Sequence, residues 1–240
     1  MSLPQINTPE YRLKVPSTDE EIRYRPFLVK EEKLLLVASE TGDDDASYKA
    51  IRNIIQSCVL DKIDLDKMPL FDMEYIFLNI RAKSVGEVAE LKVTCPDDEK
   101  TQVDVDVDLT TIQVIMDEKH DARIQLTDNI GVLMAYPSMG TVGALQNISG
   151  ATEEGQQTTN LFDTIANCLY QIWEGEEVHD AMDYSMKEKL AFIDSLNHEQ
   201  FEKVQNFFET MPTLKHEVHI TNPNTKKKST VTLSGMNDFF

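Results

Sequence analysis

Asp104, Asp106 and Asp108 stand at every second position, the spacing with which a calcium loop begins. Such a loop also needs glycine at its sixth position and glutamate at its twelfth. Leu109 and Ile115 stand there instead, so the run reads as the solvated face of a strand. Cys95-Pro96-Asp97-Asp98 resembles half of a zinc knuckle, but no second cysteine lies near it, and zinc needs about four ligands. His216 and His219, three apart on a strand, point to opposite faces. His198 and Glu202 have helical i,i+4 spacing but no third ligand. There is no G-x-S-x-G, no cysteine with an evident histidine partner and no G-x-x-x-x-G-K. Gly140-Thr141-Val142-Gly143 is too short for a phosphate loop and carries no base. Carboxylates abound, but their separations, which would decide glycosidase chemistry, are not readable here. The expectation is no catalytic residues, no metal ligands and no cofactor.

Composition narrows the partners. The chain has 240 residues, with 42 acidic against 23 basic and a formal charge of −19. Such a field repels phosphate backbones and favours partners with basic patches, so nucleic acid is not expected. The same acidity also serves solubility. Lys226-Lys227-Lys228 is the one basic cluster, and it falls at a turn. The three cysteines, Cys58, Cys95 and Cys168, are scattered and odd in number, which is no disulfide framework. No apolar run reaches the roughly 18 residues of a membrane span. The opening Met1 to Ile6 lacks the pattern of a signal peptide. A cytoplasmic protein with no membrane partner is expected.

The elements follow from periodicity. Tyr11 to Val15 and Ile22 to Phe27 alternate around the turn cluster Pro16 to Asp19, predicting a hairpin. Pro26 removes a donor and places its strand at an edge or an end. Val29 to Ser39 predicts a helix. Gly42 and Asp43-Asp44-Asp45 close it and open the next, over Ala46 to Val59, with Ile51, Ile54, Ile55 and Cys58 on one face. Pro69 opens a third helix that is apolar around much of its circumference, with Gly86 as its stop. Residues 30–86 therefore read as a three-helix unit.

Leu91, Val93 and Cys95, then Val103 to Leu109, predict a strand pair with one valine face and one aspartate face. Another strand is expected near Arg123 to Leu126, while Ile130 to Tyr136 fits strand or helix. The pattern turns helical again from about Val142. Asn147 to Thr158 reads as a polar loop and Thr159 to Trp173 as an amphipathic helix. Ser185 to Glu188 and Asn197 to Gln200 are capping boxes that predict two short helices. Glu217 to Ile220 and Thr230 to Leu233 form a closing hairpin. The fold class is α+β, a helical core with separate antiparallel hairpins. Its parts are 1–86 (hairpin plus three helices), 87–140 (antiparallel β insertion) and 141–240 (helices plus the last hairpin), read as one assembly.

Three segments carry a resemblance: Tyr24 to Lys33 (YRPFLVKEEK), Leu70 to Gly86 (LFDMEYIFLNIRAKSVG) and Leu233 to Phe240 (LSGMNDFF). Over about residues 3–95 and the last 25, the chain resembles the baseplate hub subunit and hub-assembly catalyst family of T-even-type contractile-tailed phages. Some members carry Cys-Pro-x-Cys hairpin tips similar to zinc knuckles; this chain keeps only Cys95. The resemblance implies a non-enzymatic hub component of the virion baseplate. Its partners would be other hub and tail proteins, with self-association open. The alternatives are a transient assembly chaperone, working in the host cytoplasm and absent from the virion, and more remotely a cell-wall hydrolase. Arg23, Arg25, Phe27, Lys30, Glu31 and Glu32 are the candidate interface. Phe239 and Phe240 join them, because burying each contributes ~2–3 kcal/mol, against the chain's own core or in a partner.

Overall fold

The computed structural model describes residues 7–41, 44–141 and 156–234. The fold is α+β, built of helices and small antiparallel sheets. It packs as two units. One comprises Met1–Leu65, Phe71–Ile115 and Thr213–Phe240; the other comprises Asp66–Leu70 and Met116–Pro212. The sequence boundaries after residues 86 and 140 each fall within a unit, one in the first and one in the second.

In the first unit, β1 (Tyr11–Lys14) and β2 (Glu21–Tyr24) pair antiparallel, with Leu13 opposite Ile22. Alternation sends Leu13, Ile22 and Tyr24 inward and leaves Arg12, Lys14, Glu21 and Arg23 outside. Two helices follow, α1 (Val29–Thr41) and α2 (Asp44–Cys58). Ile54, Ile55 and Cys58 of α2 are fully buried and Ile51 nearly so, as the helical spacing requires. Gly42 and Asp43, expected to separate the helices, lie outside the described residues.

Helix α3 (Leu70–Ser84) buries Phe71, Met73, Ile76, Phe77, Leu78, Ile80 and Ala82. It also buries Asp72 completely. That carboxylate accepts from the Ser17 backbone N–H at 3.0 Å and from the Ser17 hydroxyl, which ties the first hairpin's turn to the helix. Burial pushes its pKa up, and the Ser17 bonds offset this only in part.

Strands β3 (Val88–Thr94) and β4 (Gln102–Asp108) pair with Leu91 opposite Val105. Asp104, Asp106 and Asp108 are exposed while the valines between them face inward, so the strand reading holds. Strand β5 (Gln113–Ile115), which periodicity did not signal, joins β10 (Thr213–Thr221), and β10 pairs in turn with β11 (Lys228–Ser234). Leu78 and Ala82 of α3 share one core with Leu91, Val93, Val107, Val218, Ile220 and Leu233.

The second unit centres on a sheet in the order β6-β7-β8-β9. Its strands are β6 (Arg123–Gln125), β7 (Ile130–Met134), β8 (Leu169–Glu174) and β9 (Glu177–Asp180). The ambiguous segment 130–136 is thus largely strand. The helix expected over Thr159 to Trp173 is divided: α4 spans Gln156–Cys168, and the chain then extends into β8. Pairing on both sides, with β7 and β9, overrides the helical spacing of Leu169 and Ile172. The start of α4 also takes residues 156–158 from the expected polar loop, the rest of which lies outside the described residues. Helices α5 (Met186–Asp194) and α6 (His198–Thr210) begin at complete capping boxes on Ser185 and Asn197. His120, Tyr136 and Phe207 form a cluster of three rings in mutual contact, with His120 Nδ1 2.9 Å from the Thr210 hydroxyl.

Gly131 of β7 lies opposite Trp173 of β8. A Cβ there would meet Trp173 Cζ2 at 2.1 Å and the Ile124 carbonyl at 2.6 Å. Trp173 is nine-tenths buried and has the Arg123 guanidinium over its ring at 4.5 Å, so it has little room to yield. Gly131→Ala is expected to cost about 1–3 kcal/mol through overpacking. Calorimetric melting of the purified variant measures the cost.

Candidate interaction surface

The candidate residues 23–32 lie where β2 ends and α1 begins. The outer edge of β2 runs onto the C-terminal end of α2. Arg25 N–H donates to the Cys58 carbonyl at 3.0 Å, and Leu60 N–H donates to the Arg23 carbonyl at 2.9 Å. Arg23 also grips Asp61: its N–H donates to one carboxylate oxygen at 2.6 Å and its guanidinium to the other at 2.8 Å. The Arg23 hydrogen bonds hold the Asp61 carboxyl below its usual range. Both side chains remain partly exposed.

Arg25 turns inward. Its guanidinium donates to Glu31 Oε1 at 2.9 Å, to the Ser57 carbonyl at 3.0 Å and to the Pro26 carbonyl at 2.8 Å. Ser57 sits in the last turn of α2, where carbonyls have no helical partner and a cation is favoured. Glu31 sits in the first turn of α1, and its second oxygen accepts from the Leu28 N–H at 2.8 Å. One guanidinium therefore joins the C-terminal end of α2 to the N-terminal end of α1. Burial raises the Glu31 pKa, but bonds from Arg25, the Leu28 amide and Lys30 outweigh it and leave the carboxyl below its usual range.

The candidates thus separate by environment. Arg25, Phe27 and Glu31 are inside: side-chain exposure is 14% for Arg25 and 3% for Glu31, and Phe27 is buried with its N–H on the Ser84 hydroxyl. Lys30 and Glu32 face solvent, and Arg23 is half-exposed beside Asp61. Phe239 and Phe240 lie outside the described residues. Leu28, Val29, Leu36 and Val37 are exposed apolar neighbours of the charged candidates. The run Leu34-Leu35-Leu36-Val37 could have signalled this, since four consecutive apolar residues on a helix cannot all face one side.

A second polar cluster joins two hairpin tips. The buried Asn222 amide donates to Asp97 Oδ1 at 2.9 Å and to Asp98 Oδ2 at 3.0 Å. The Thr225 hydroxyl donates to Asp97, and the Thr101 hydroxyl and N–H donate to Asp98. These bonds hold both carboxyls below the ordinary range, Asp98 the further. The knuckle-like tip at Cys95 is fixed by this carboxylate–amide clasp. Lys226 to Lys228 lie at the other tip, exposed.

Burial pushes the Cys58 thiol up to about 11 and the Cys168 thiol up to about 12, so both stay protonated and poor as nucleophiles. Cys95 is also raised, by burial and by Asp97 and Asp98. Among the described residues no three His, Cys, Asp or Glu side chains are placed to hold a metal ion. Nor is any described helix long and apolar enough to cross a membrane. In the second unit a groove of about 490 Å³ is lined by Ile130, Ile172, Ala181, Tyr184 and Phe192, with His179 bonded to the Tyr184 hydroxyl at 2.8 Å.

A protein-family model described as T4 bacteriophage base plate protein matches residues 8–240. No curated protein matches the chain, and no solved structure does.

Two predictions follow from the geometry. Arg25→Ala leaves Glu31 buried with its main partner gone. The expected loss is about 3 kcal/mol, the low end of the range for a broken buried pair, because Arg25 keeps some solvent contact. The Glu31 contribution is complete above the carboxyl's unfolded pKa and is lost as pH falls through its lower folded value. Denaturant titrations of wild type and Arg25→Ala should therefore converge under acid. At the tips, Asn222→Ala should speed amide exchange across residues 95–101 by on the order of tenfold while leaving α3 protected, as read by hydrogen-exchange mass spectrometry.

Proposed function

The chain belongs to the T4 bacteriophage base plate protein family, and from that premise we propose that it is a hub component of the tail baseplate, acting through protein–protein contacts. The observation that carries this is the junction between β2 and α1. Lys30, Glu32 and the exposed Leu28 and Val29 stand on a helix start held in place by the buried Arg25–Glu31 pair. A contact edge built this way loses little conformational freedom when a partner docks. The resemblance of Tyr24 to Lys33 to hub proteins points to the same edge. Other hub and tail proteins are the partners, and the virion tail is the location. The Phe239–Phe240 pair is a second proposed anchor. A non-enzymatic role accords with a structural family and with buried thiols held protonated.

The chain's charge of −19 favours a rival, an assembly factor that binds basic surfaces and then leaves. Mass spectrometry of purified phage particles separates the two: a virion component is found in them, an assembly factor is not. Lys30→Ala with Glu32→Ala should preserve melting behaviour yet lower co-purification with tail proteins by about tenfold, the loss of roughly 1.4 kcal/mol of contact energy. Phe239→Ala with Phe240→Ala should do the same if that pair docks outward. Unchanged co-purification in both variants would remove these surfaces from the interface.

A further inference from the structure

Helix α1 has two faces of different character. At 3.6 residues per turn, Glu31 and Ala38 fall on one side, and both are buried. Val29, Lys33, Leu36, Val37 and Glu40 fall on the opposite side. Val29 is 66% exposed, Leu36 57% and Val37 61%, and Lys33 and Glu40 are exposed as well. A water-facing stripe with three large apolar side chains is unusual on a helix whose other side already serves the core.

The order of charges along the stripe is self-complementary. Lys33 and Glu40 are equidistant from the midpoint between Leu36 and Val37, one toward each end. A twofold axis through that midpoint sets α1 antiparallel to its own copy. It brings Leu36 and Val37 of one copy together with Leu36 and Val37 of the other at the centre, and Lys33 of each against Glu40 of the other. The two ion pairs then flank an apolar centre. Within a chain of charge −19, this stripe carries one positive and one negative group, so like-charge repulsion between copies is small along it. We propose that the outer stripe of α1 is an isologous contact between two copies of this chain, with Leu36 and Val37 at its centre and reciprocal Lys33–Glu40 pairs at its ends.

Helix α1 has 13 residues, about 20 Å of length. One helix pair of that size buries less than the roughly 1,200 Å² of a standard stable interface. The dimer is therefore weak alone and populated when copies are concentrated or held together. It does not depend on the hub assignment: a monomeric result would leave the baseplate reading intact.

Sedimentation of the full chain from about 1 μM to about 1 mM tests it. Wild type should pass from monomer to dimer within that range. Lys33→Glu alone and Glu40→Lys alone should each weaken the dimer about tenfold or more, because each sets like charges opposite each other twice. Lys33→Glu combined with Glu40→Lys should restore it. Mixing the two single variants should give a heterodimer tighter than either homodimer, since both end pairs then become opposite in sign. Leu36→Asp should abolish association while the thermal melt stays cooperative. A wild type monomeric throughout would overturn the proposal. So would a double variant as weak as the singles, or a mixture no tighter than its components.

Discussion

Arg25 donates to two helices at once, and the first hairpin and α1 are placed by that fact. The guanidinium caps free carbonyls at the end of α2 and meets Glu31 in the opening turn of α1. A lysine could not do this, because its ammonium lacks the planar fork that reaches several acceptors in fixed directions. Glu31 is committed in turn: one oxygen takes Arg25 and the other takes the Leu28 amide, an orphan donor at the helix start. The pair is thus a hinge pin more than a source of net stability, since much of the attraction offsets desolvation. What it fixes is direction. With Glu31 inside, Lys30 and Glu32 must point out, and the far stripe of α1 must face solvent.

The surplus of acid serves the fold in different ways at different sites. Asp72 is buried under the first hairpin's turn and pays for it with a raised pKa. Asp97 and Asp98 are held low by hydroxyl and amide donors, and so remain charged acceptors. Asp104 and Asp106 line the wet face of β4, where a row of like charges discourages another strand from adding to the sheet, while Asp108 at the strand's end accepts from the Thr110 N–H and hydroxyl and caps the turn that follows. The same residue type is a buried tether, a satisfied clasp or a repellent surface. Local donors decide which, and composition alone cannot.

Elements with a strong internal period were legible from sequence. The valine–aspartate alternation of 103–108, the apolar face of α2 and the capping boxes at Ser185 and Asn197 each carry their own explanation within a few residues. Segments whose state depends on distant partners were not. Strand β5 is three residues long and exists because β10 offers it an edge. Leu169 to Glu174 has apolar residues at helical spacing, but β7 and β9 claim it from either side. For the candidate surface, the sequence could not sort buried residues from exposed ones. Arg25 and Glu31 look as exposed as Lys30 and Glu32 in a string of charges, because the acceptor that draws Arg25 inward, the Ser57 carbonyl, lies 32 residues away.

The hairpin tip at Cys95 shows how such long-range partners replace a local motif. A knuckle fixes its tip with metal ligands close in sequence. Here Cys95 is buried at the foot of the tip with its thiol held protonated, and the fixing groups come from the far hairpin, more than 120 residues on. Asn222 is suited to this: its amide can donate twice, to Asp97 and Asp98, while its own oxygen accepts from the Asn224 N–H within the turn. Because both carboxyls are held below their usual range, their share of the clasp persists above the ordinary carboxylate pKa and is lost only as pH falls through the lowered values. The tip is thereby fixed by groups that mean nothing until the two hairpins meet.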